Sequence, residues 1–168
     1  MRMKKFVAIC LCAVLLFALT ACAPKGEAAH YEVKHDARLD TFYRGLEFHD
    51  IRAATAPRWI PDGYEMTQFE LAQYGEANSV YANFQNCEKY FHINVTQTPS
   101  GVVHKLEYMP DSRVEYVLNG ITHYVYSGEF DVWSAVWEAD GFVAEIYGVI
   151  TEEEIYKMID SVYGVEIK

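Results

Sequence analysis

Between Tyr64 and Gly148 the chain alternates apolar and polar residues with a period of two, run after run, and turn residues stand at the breaks. Strands are therefore predicted at about 64–73, 79–86 and 90–97. In the last of these, Phe91, Ile93 and Val95 alternate with His92, Asn94 and Thr96. Gly75-Glu76-Ala77-Asn78 separates the first two runs, and Thr98-Pro99-Ser100-Gly101 ends the third. Residues 102–112 fit a strand and an irregular crossing equally well.

Two dipeptides sharpen the picture. Asn119-Gly120 lies between apolar-rich runs, and both central residues of a type I′ turn need φ > 0, which Asn and Gly tolerate. A two-residue loop dictates the register: Leu118 faces Ile121, Tyr116 faces His123 and Val114 faces Val125, all six on one side of the sheet. Glu115, Val117, Thr122, Tyr124 and Tyr126 then share the other side. Asp140-Gly141 acts in the same way, setting Ala139 against Phe142, Trp137 against Ala144, Ala135 against Ile146 and Trp133 against Gly148. Each tryptophan meets a small residue, which lets large rings pack at native density. Ser134, Glu138 and Glu145 fall on the wetter side.

The periodicity changes at both ends. Leu39, Phe42, Tyr43 and Leu46 follow i, i+3, i+4, i+7 spacing, so a short helix is predicted at about 37–47, weakened by Gly45. After Gly148 the signs of a helix are stronger. Thr151 and Glu154 have capping-box spacing, Ile150 and Ile155 suit a hydrophobic staple, and Glu152, Glu153 and Glu154 sit at the positive end of the macrodipole. Ile155, Met158, Ile159 and Val162 form the apolar stripe, and Gly164 suits the C′ position. The fold class expected is α+β: an antiparallel twisted sheet of about six strands, with the C-terminal amphipathic helix packed on one face.

Ahead of all this, cationic Arg2, Lys4 and Lys5 precede an apolar run from Phe6 to Ala18, the anatomy of a secretory signal and too short for a stable span. Leu19-Thr20-Ala21-Cys22 resembles the lipobox of bacterial lipoproteins. The resemblance implies diacylglycerol transfer to the Cys22 thiol, cleavage before Cys22, and acylation of the new amino terminus, with palmitate the expected chain. Two or more acyl chains give stable anchoring. An ordinary secretory signal ending in an incidental cysteine is the alternative. The expected organisation is a signal peptide at 1–21, a lipid-anchored flexible stalk at 22–36 and a single domain at 37–168, located on the cell membrane and facing outside the cytoplasm.

Removal of residues 1–21, with three cations and no acid, lowers the formal net charge from −10 to −13. So acidic a surface excludes nucleic acid as a partner and disfavours electrostatic docking on anionic lipid heads. Of four cysteines, Cys10 and Cys12 leave with the signal and Cys22 takes the lipid. Cys87 remains alone, so no internal disulfide is expected.

Trp59-Ile60-Pro61-Asp62-Gly63-Tyr64, a W-[IL]-P-x-G-Y opening, precedes the short strands, the Asn-Gly hairpin, a W-x-x-x-G strand pair and the closing helix. From about Pro57 to Tyr163 this order resembles a bacterial domain-of-unknown-function family. The family occurs in lipoproteins and in extracytoplasmic regions of anti-sigma-like membrane-anchored proteins. Its motifs are turn and core signals, so the resemblance implies a fold and no catalytic residue.

Candidate chemistry is sparse. The sequence contains no H-E-x-x-H, C-x-x-C, G-x-S-x-G, P-loop, dinucleotide fingerprint or calcium loop, so neither metal nor cofactor is expected. His123, opposite Tyr116 on an apolar side, reads as a ring stacked in a mixed core, with ligation the alternative. Aromatic residues make up 15% of the chain, thirteen of them tyrosines, and Tyr124, Tyr126 and Tyr147 fall away from the tryptophan and leucine sides. Exposed, they form a candidate binding surface for a protein, peptide or envelope polymer; covered by a second helix, they are only β-formers. The leading function is a membrane-tethered binding or sensing module. A carrier of apolar ligands between sheet and helix is the alternative, and an envelope hydrolase stands third.

Overall fold

The computed structural model describes residues 34–51, 55–74, 77–97 and 109–164. By its internal contacts the chain divides after Glu32, and every described residue lies in the second unit, Val33–Lys168. A 3-10 turn at Ala37–Leu39 leads into helix α1 (Asp40–Phe48). The strands are β1 (Glu65–Tyr74), β2 (Ala77–Asn86), β3 (Lys89–Gln97), β4 (Val114–Leu118), β5 (Ile121–Ser127), β6 (Trp133–Ala139) and β7 (Phe142–Gly148), and helix α2 (Glu152–Val162) follows. All seven strands join one antiparallel sheet in the order β1-β2-β3-β7-β6-β5-β4. The expectation of about six strands is therefore corrected to seven. β4 is only five residues long, but its hairpin with β5 makes it a full member of the sheet.

Both hairpin registers match the pairs derived from the two-residue loops, from Val114 with Val125 to Leu118 with Ile121 and from Trp133 with Gly148 to Ala139 with Phe142. Asn119 and Asp140 take φ of 52° and 54°, and the glycines after them 78° and 81°, as type I′ turns require. One face of the sheet carries Val80, Ala82, Phe84, Phe91, Ile93, Val95, Val125, Ala135, Trp137, Ala144 and Ile146, all buried. Leu39, Phe42 and Leu46 of the N-terminal segment and Ile155, Met158, Ile159 and Val162 of α2 join the same core. Both helices thus cover one face, because both apolar stripes need the single sheet surface that offers large side chains. The capping box forms: the Glu154 amide donates to Thr151 Oγ1 at 3.2 Å and the Thr151 amide to Glu154 Oε2 at 2.7 Å.

The segment that carries the family resemblance works as a clamp. The Arg38 guanidinium donates to the carbonyls of Ile60, Pro61 and Tyr64 at 3.0, 2.8 and 3.0 Å while pairing with Asp36 at 2.6 Å. That pairing holds the Asp36 carboxyl below its ordinary range and raises the guanidinium above its own. From the other side, Ser161 Oγ of α2 accepts the amides of Arg58 and Trp59 at 3.0 and 3.2 Å. Tyr64 closes the link, its hydroxyl donating to the Val149 carbonyl at 3.0 Å. Gly63 at φ 80° provides the turn that brings these carbonyls round to Arg38. The motif therefore ties both helices to the sheet, which accounts for its turn-and-core character.

Candidate functional site

The second face of the sheet carries the residues singled out as a binding surface. Strand pairing sets Tyr126, Ser134, Tyr147, His92 and Asn83 abreast in one row across five strands, and Tyr124, Val136, Glu145, Asn94 and Tyr81 in the next. Tyr126 and Tyr147 share a row with Ser134 between them, two strand spacings or roughly 10 Å apart. Tyr124 lies one row away, its ring 5.6 Å beneath the Arg113 guanidinium. The three tyrosines therefore share a face without making a single continuous platform. All three are half-buried. Both helices lie on the other face, while Met109 packs against buried Val136 and Val143 on this one.

Tyr147 belongs to a tighter group. The His92 imidazole sits between two phenol rings, 5.2 Å from Tyr147 at 30° and 5.3 Å from Tyr81 at 38°. Its Nε2 is 3.8 Å from Glu145 Oε2, and the two side chains are 21% and 14% exposed, enough to reach solvent from a sheltered position. Burial first, then the charges of Glu70 and Glu145, raises the Tyr81 phenol above its ordinary pKa. Beside this group Ser79 Oγ donates to Asn94 Oδ1 at 2.9 Å, with Thr96 Oγ1 at 3.1 Å. The result is a row of amphipathic rings, a histidine beside a carboxylate, and amide groups on a rigid sheet. Such a surface can stack a ring or cation and hydrogen-bond its substituents.

Sequence reasoning reached Tyr147 but not Tyr81 or His92. The alternation in β3 already pointed His92 away from Phe91 and Ile93. What brings it to Tyr147 is the pairing of β3 with β7, strands more than forty residues apart in the chain, and no turn signal encodes that. Cys22 lies outside the described residues. Cys87 is exposed in the β2–β3 turn at φ 50°.

His123 is fully buried on the helix-side face, 5.1 Å from the Trp137 ring and edge-on to Tyr163 at 5.5 Å. The Tyr116 carbonyl 3.1 Å from Nδ1 can only accept, so Nδ1 holds the proton and Nε2 accepts from Tyr163 Oη at 2.9 Å. The mixed-core reading of this residue therefore describes its surroundings, with both ring nitrogens engaged. Burial pushes the His123 pKa below its ordinary value, against the backbone bonds and the Asp160 charge. Its folded pKa is depressed, so the unfolded chain takes up the proton first as pH falls. Stability is then expected to be level above about pH 7 and to decline below about 6.5, by at most about 1.4 kcal/mol per pH unit for this one group. Denaturation midpoints of the protein and of His123→Gln across pH 5–8 test this, and the gap between them should narrow only on the acidic side. Nearby, a hydrogen bond to Asp160 at 2.7 Å is the main cause that pushes the Tyr116 phenol up to about 12, and burial does the same to Tyr163.

Among the described residues no three His, Cys, Asp or Glu side chains converge as a metal site, and no helix is long and apolar enough to cross a membrane. The fold and its clamp define a single-sheet α+β domain with both helices on one side. Residues 54–162 match a family described as a domain of unknown function (DUF4367). The match covers more than half of the chain, and the chain belongs to that family. It spans nearly the same stretch as the resemblance drawn from Trp59–Tyr64 and the later turns.

No curated protein matches the chain. Among solved structures, it is similar to MucB in complex with MucA(peri), at 9% identity and a TM-score of 0.36, covering 62% of this chain. It spans only 34% of that MucB-complex chain. It is also similar to a GTP binding regulator from Thermotoga maritima, at 14% identity and a TM-score of 0.46, covering 77% of this chain and 92% of the other.

Proposed function

We propose that the chain is a membrane-tethered extracytoplasmic binding or sensing module, anchored through lipid on Cys22, which presents the sheet face opposite α1 and α2 to a protein, peptide or envelope polymer. The observation that carries the reading is the row in which half-buried Tyr126, Tyr147, His92 and Asn83 stand abreast, with buried Ser134 between the two tyrosines. Rigid aromatics that need little ordering make good anchors, and strands hold them more firmly than loops do. On the helix side Phe84, Phe91, Trp137, Ile155 and Ile159 are fully buried, which favours a surface ligand over one enclosed between sheet and helix. The hydrolase reading gains little from His92 and Glu145, since phenol rings flank the histidine where a nucleophile would be needed.

Crosslinking of the tethered protein in its native envelope tests the surface. Replacing Tyr124 and Tyr126 together by serine is expected to lower partner capture at least tenfold. Because both rings are half-buried, the fold should lose only about 1–2 kcal/mol. Undiminished capture by a folded double variant would rule this surface out. The tether is tested separately. Cys22→Ala is expected to remain an uncleaved precursor without lipid, and recovery of a mature, acylated Cys22→Ala protein would overturn the lipoprotein assignment.

A further inference from the structure

We propose that the free edge of β4 takes up an extended segment of a protein partner as an eighth strand, with a lysine or arginine of that segment opposite Glu115. The edge adjoins the tyrosine rows, with Glu115 directly opposite Tyr124, but the inference is argued from the backbone of β4 and does not depend on those rings.

Among the described residues β4 closes the sheet, with β5 on one side only. In a two-residue hairpin the residues flanking the turn form a hydrogen-bonded pair, and such pairs alternate along the ladder. Leu118, Tyr116 and Val114 therefore turn their backbone groups towards β5. Glu115 and Val117 turn theirs outward, presenting two N–H donors and two carbonyl acceptors at strand spacing. The side chains beside them are apolar and open: Val117 is 62% exposed on one face and Val114 54% on the other.

Edges are usually guarded by bulges, prolines or lysines. At the opposite end of the sheet, β1 has an irregular register between Met66 and Gln68, with Thr67 and Asn83 bonded across it. β4 pairs without interruption and contains no proline or lysine. Among the described residues its guards are its short length and the charge of Glu115. Arg113, the residue before β4, is drawn back over the Tyr124 ring and donates to the Pro110 carbonyl at 3.3 Å. Glu115 and Asp111 remain exposed on a chain of formal charge −10, which selects a basic partner strand. A second copy fits less well. Two-fold antiparallel pairing through these outward groups sets each Glu115 opposite Val117 of the copy and makes the two glutamates diagonal neighbours, a like-charge arrangement.

The test uses the full chain, labelled with nitrogen-15 and held in zwitterionic detergent. The probe is a blocked seven-residue peptide alternating valine and lysine, N-methylated on its valines so that a single edge can bond and its lysines face Glu115 and Val117. At saturation the Glu115 and Val117 amide signals are expected to shift and their hydrogen exchange to slow at least tenfold. A glutamate-for-lysine peptide should bind at least tenfold more weakly. Val117→Pro removes an outward donor and should abolish binding. Glu115→Lys leaves the ladder intact and should reverse the preference between the two peptides, so the proposal stays testable if the proline variant does not fold. Equal binding of a peptide methylated on its lysines instead, or shifts confined to Tyr124, Tyr126 and Tyr147, would overturn it. So would protection of Glu115 and Val117 that rises with protein concentration in the absence of peptide, which would assign the edge to a second copy.

Discussion

Trp137→Ala is expected to cost about 3–5 kcal/mol, a large share of the 5–15 kcal/mol that typically holds a domain folded. Trp137 is fully buried at the centre of β6, abreast of Ala144 on one side and His123 on the other. Its ring fills the space that the small side chain of Ala144 leaves, and it lies 5.1 Å from the His123 ring. Removing it opens a cavity beneath both α2 and the His123–Tyr163 hydrogen bond. Trp137 Nε1 has no hydrogen-bond partner among the described residues, so the residue contributes through packing alone. Trp137→Phe should therefore cost much less, about 1–2 kcal/mol, since it keeps most of the ring and removes an unpaired donor. Urea midpoints of the two variants, compared at equal m-value, check the ordering. Equal losses would show that the indole N–H matters more than the ring.

Gly148→Ala should be comparably severe for the opposite reason. A Cβ at Gly148 would stand 2.3 Å from Phe91 Cα and 2.4 Å from the Tyr90 carbonyl oxygen. Both are backbone atoms of the neighbouring strand, so no side-chain rotation relieves the clash. β7 would have to move away from β3 where the two halves of the sheet meet, and the bond from the Val149 amide to the Tyr90 carbonyl at 2.7 Å would strain with it. A loss of about 3 kcal/mol or more is expected, at or above the upper end for overpacking. Faster amide exchange in β3 and β7, with the β4–β5 hairpin unchanged, would place the damage at that junction. An alanine variant as stable as the parent would show that the strands can separate at little cost.

Gly148 also shows what the sequence could reveal and what it could not. Its pairing with Trp133 follows from the Asp140-Gly141 loop, and the small residue beneath a tryptophan is explicable from that pair alone. The stronger constraint comes from Phe91 on its other side, through a contact the hairpin does not encode. The same division runs through the candidate site. Alternation and loop register correctly placed Tyr124 and Tyr126 on the side away from Leu118 and Val125, and Tyr147 away from Ile146. They could not show that Tyr147 stacks on His92, that Arg113 lies over Tyr124, or that the three rings fall in different rows. Three alternating runs and two hairpins already make seven strands, so each strand of the sheet was legible in the sequence and only the expected total of about six fell short.

By itself the sequence determined whatever is local. The type I′ loops dictated two hairpin registers because Asn, Asp and Gly accept positive φ there most readily, and Thr151 and Glu154 marked the start of α2 because their side chains satisfy amides within one turn. Period-two and helical patterns assigned a face to each strand and an apolar stripe to each helix. Only the tertiary structure decided the order in which the hairpins dock, the pairing of β3 with β7 that assembles Tyr81, His92 and Tyr147, and the sharing of one sheet face by both helices. Those choices rest on packing between segments distant in the chain, where many side chains contribute small amounts together and no single residue carries a signal.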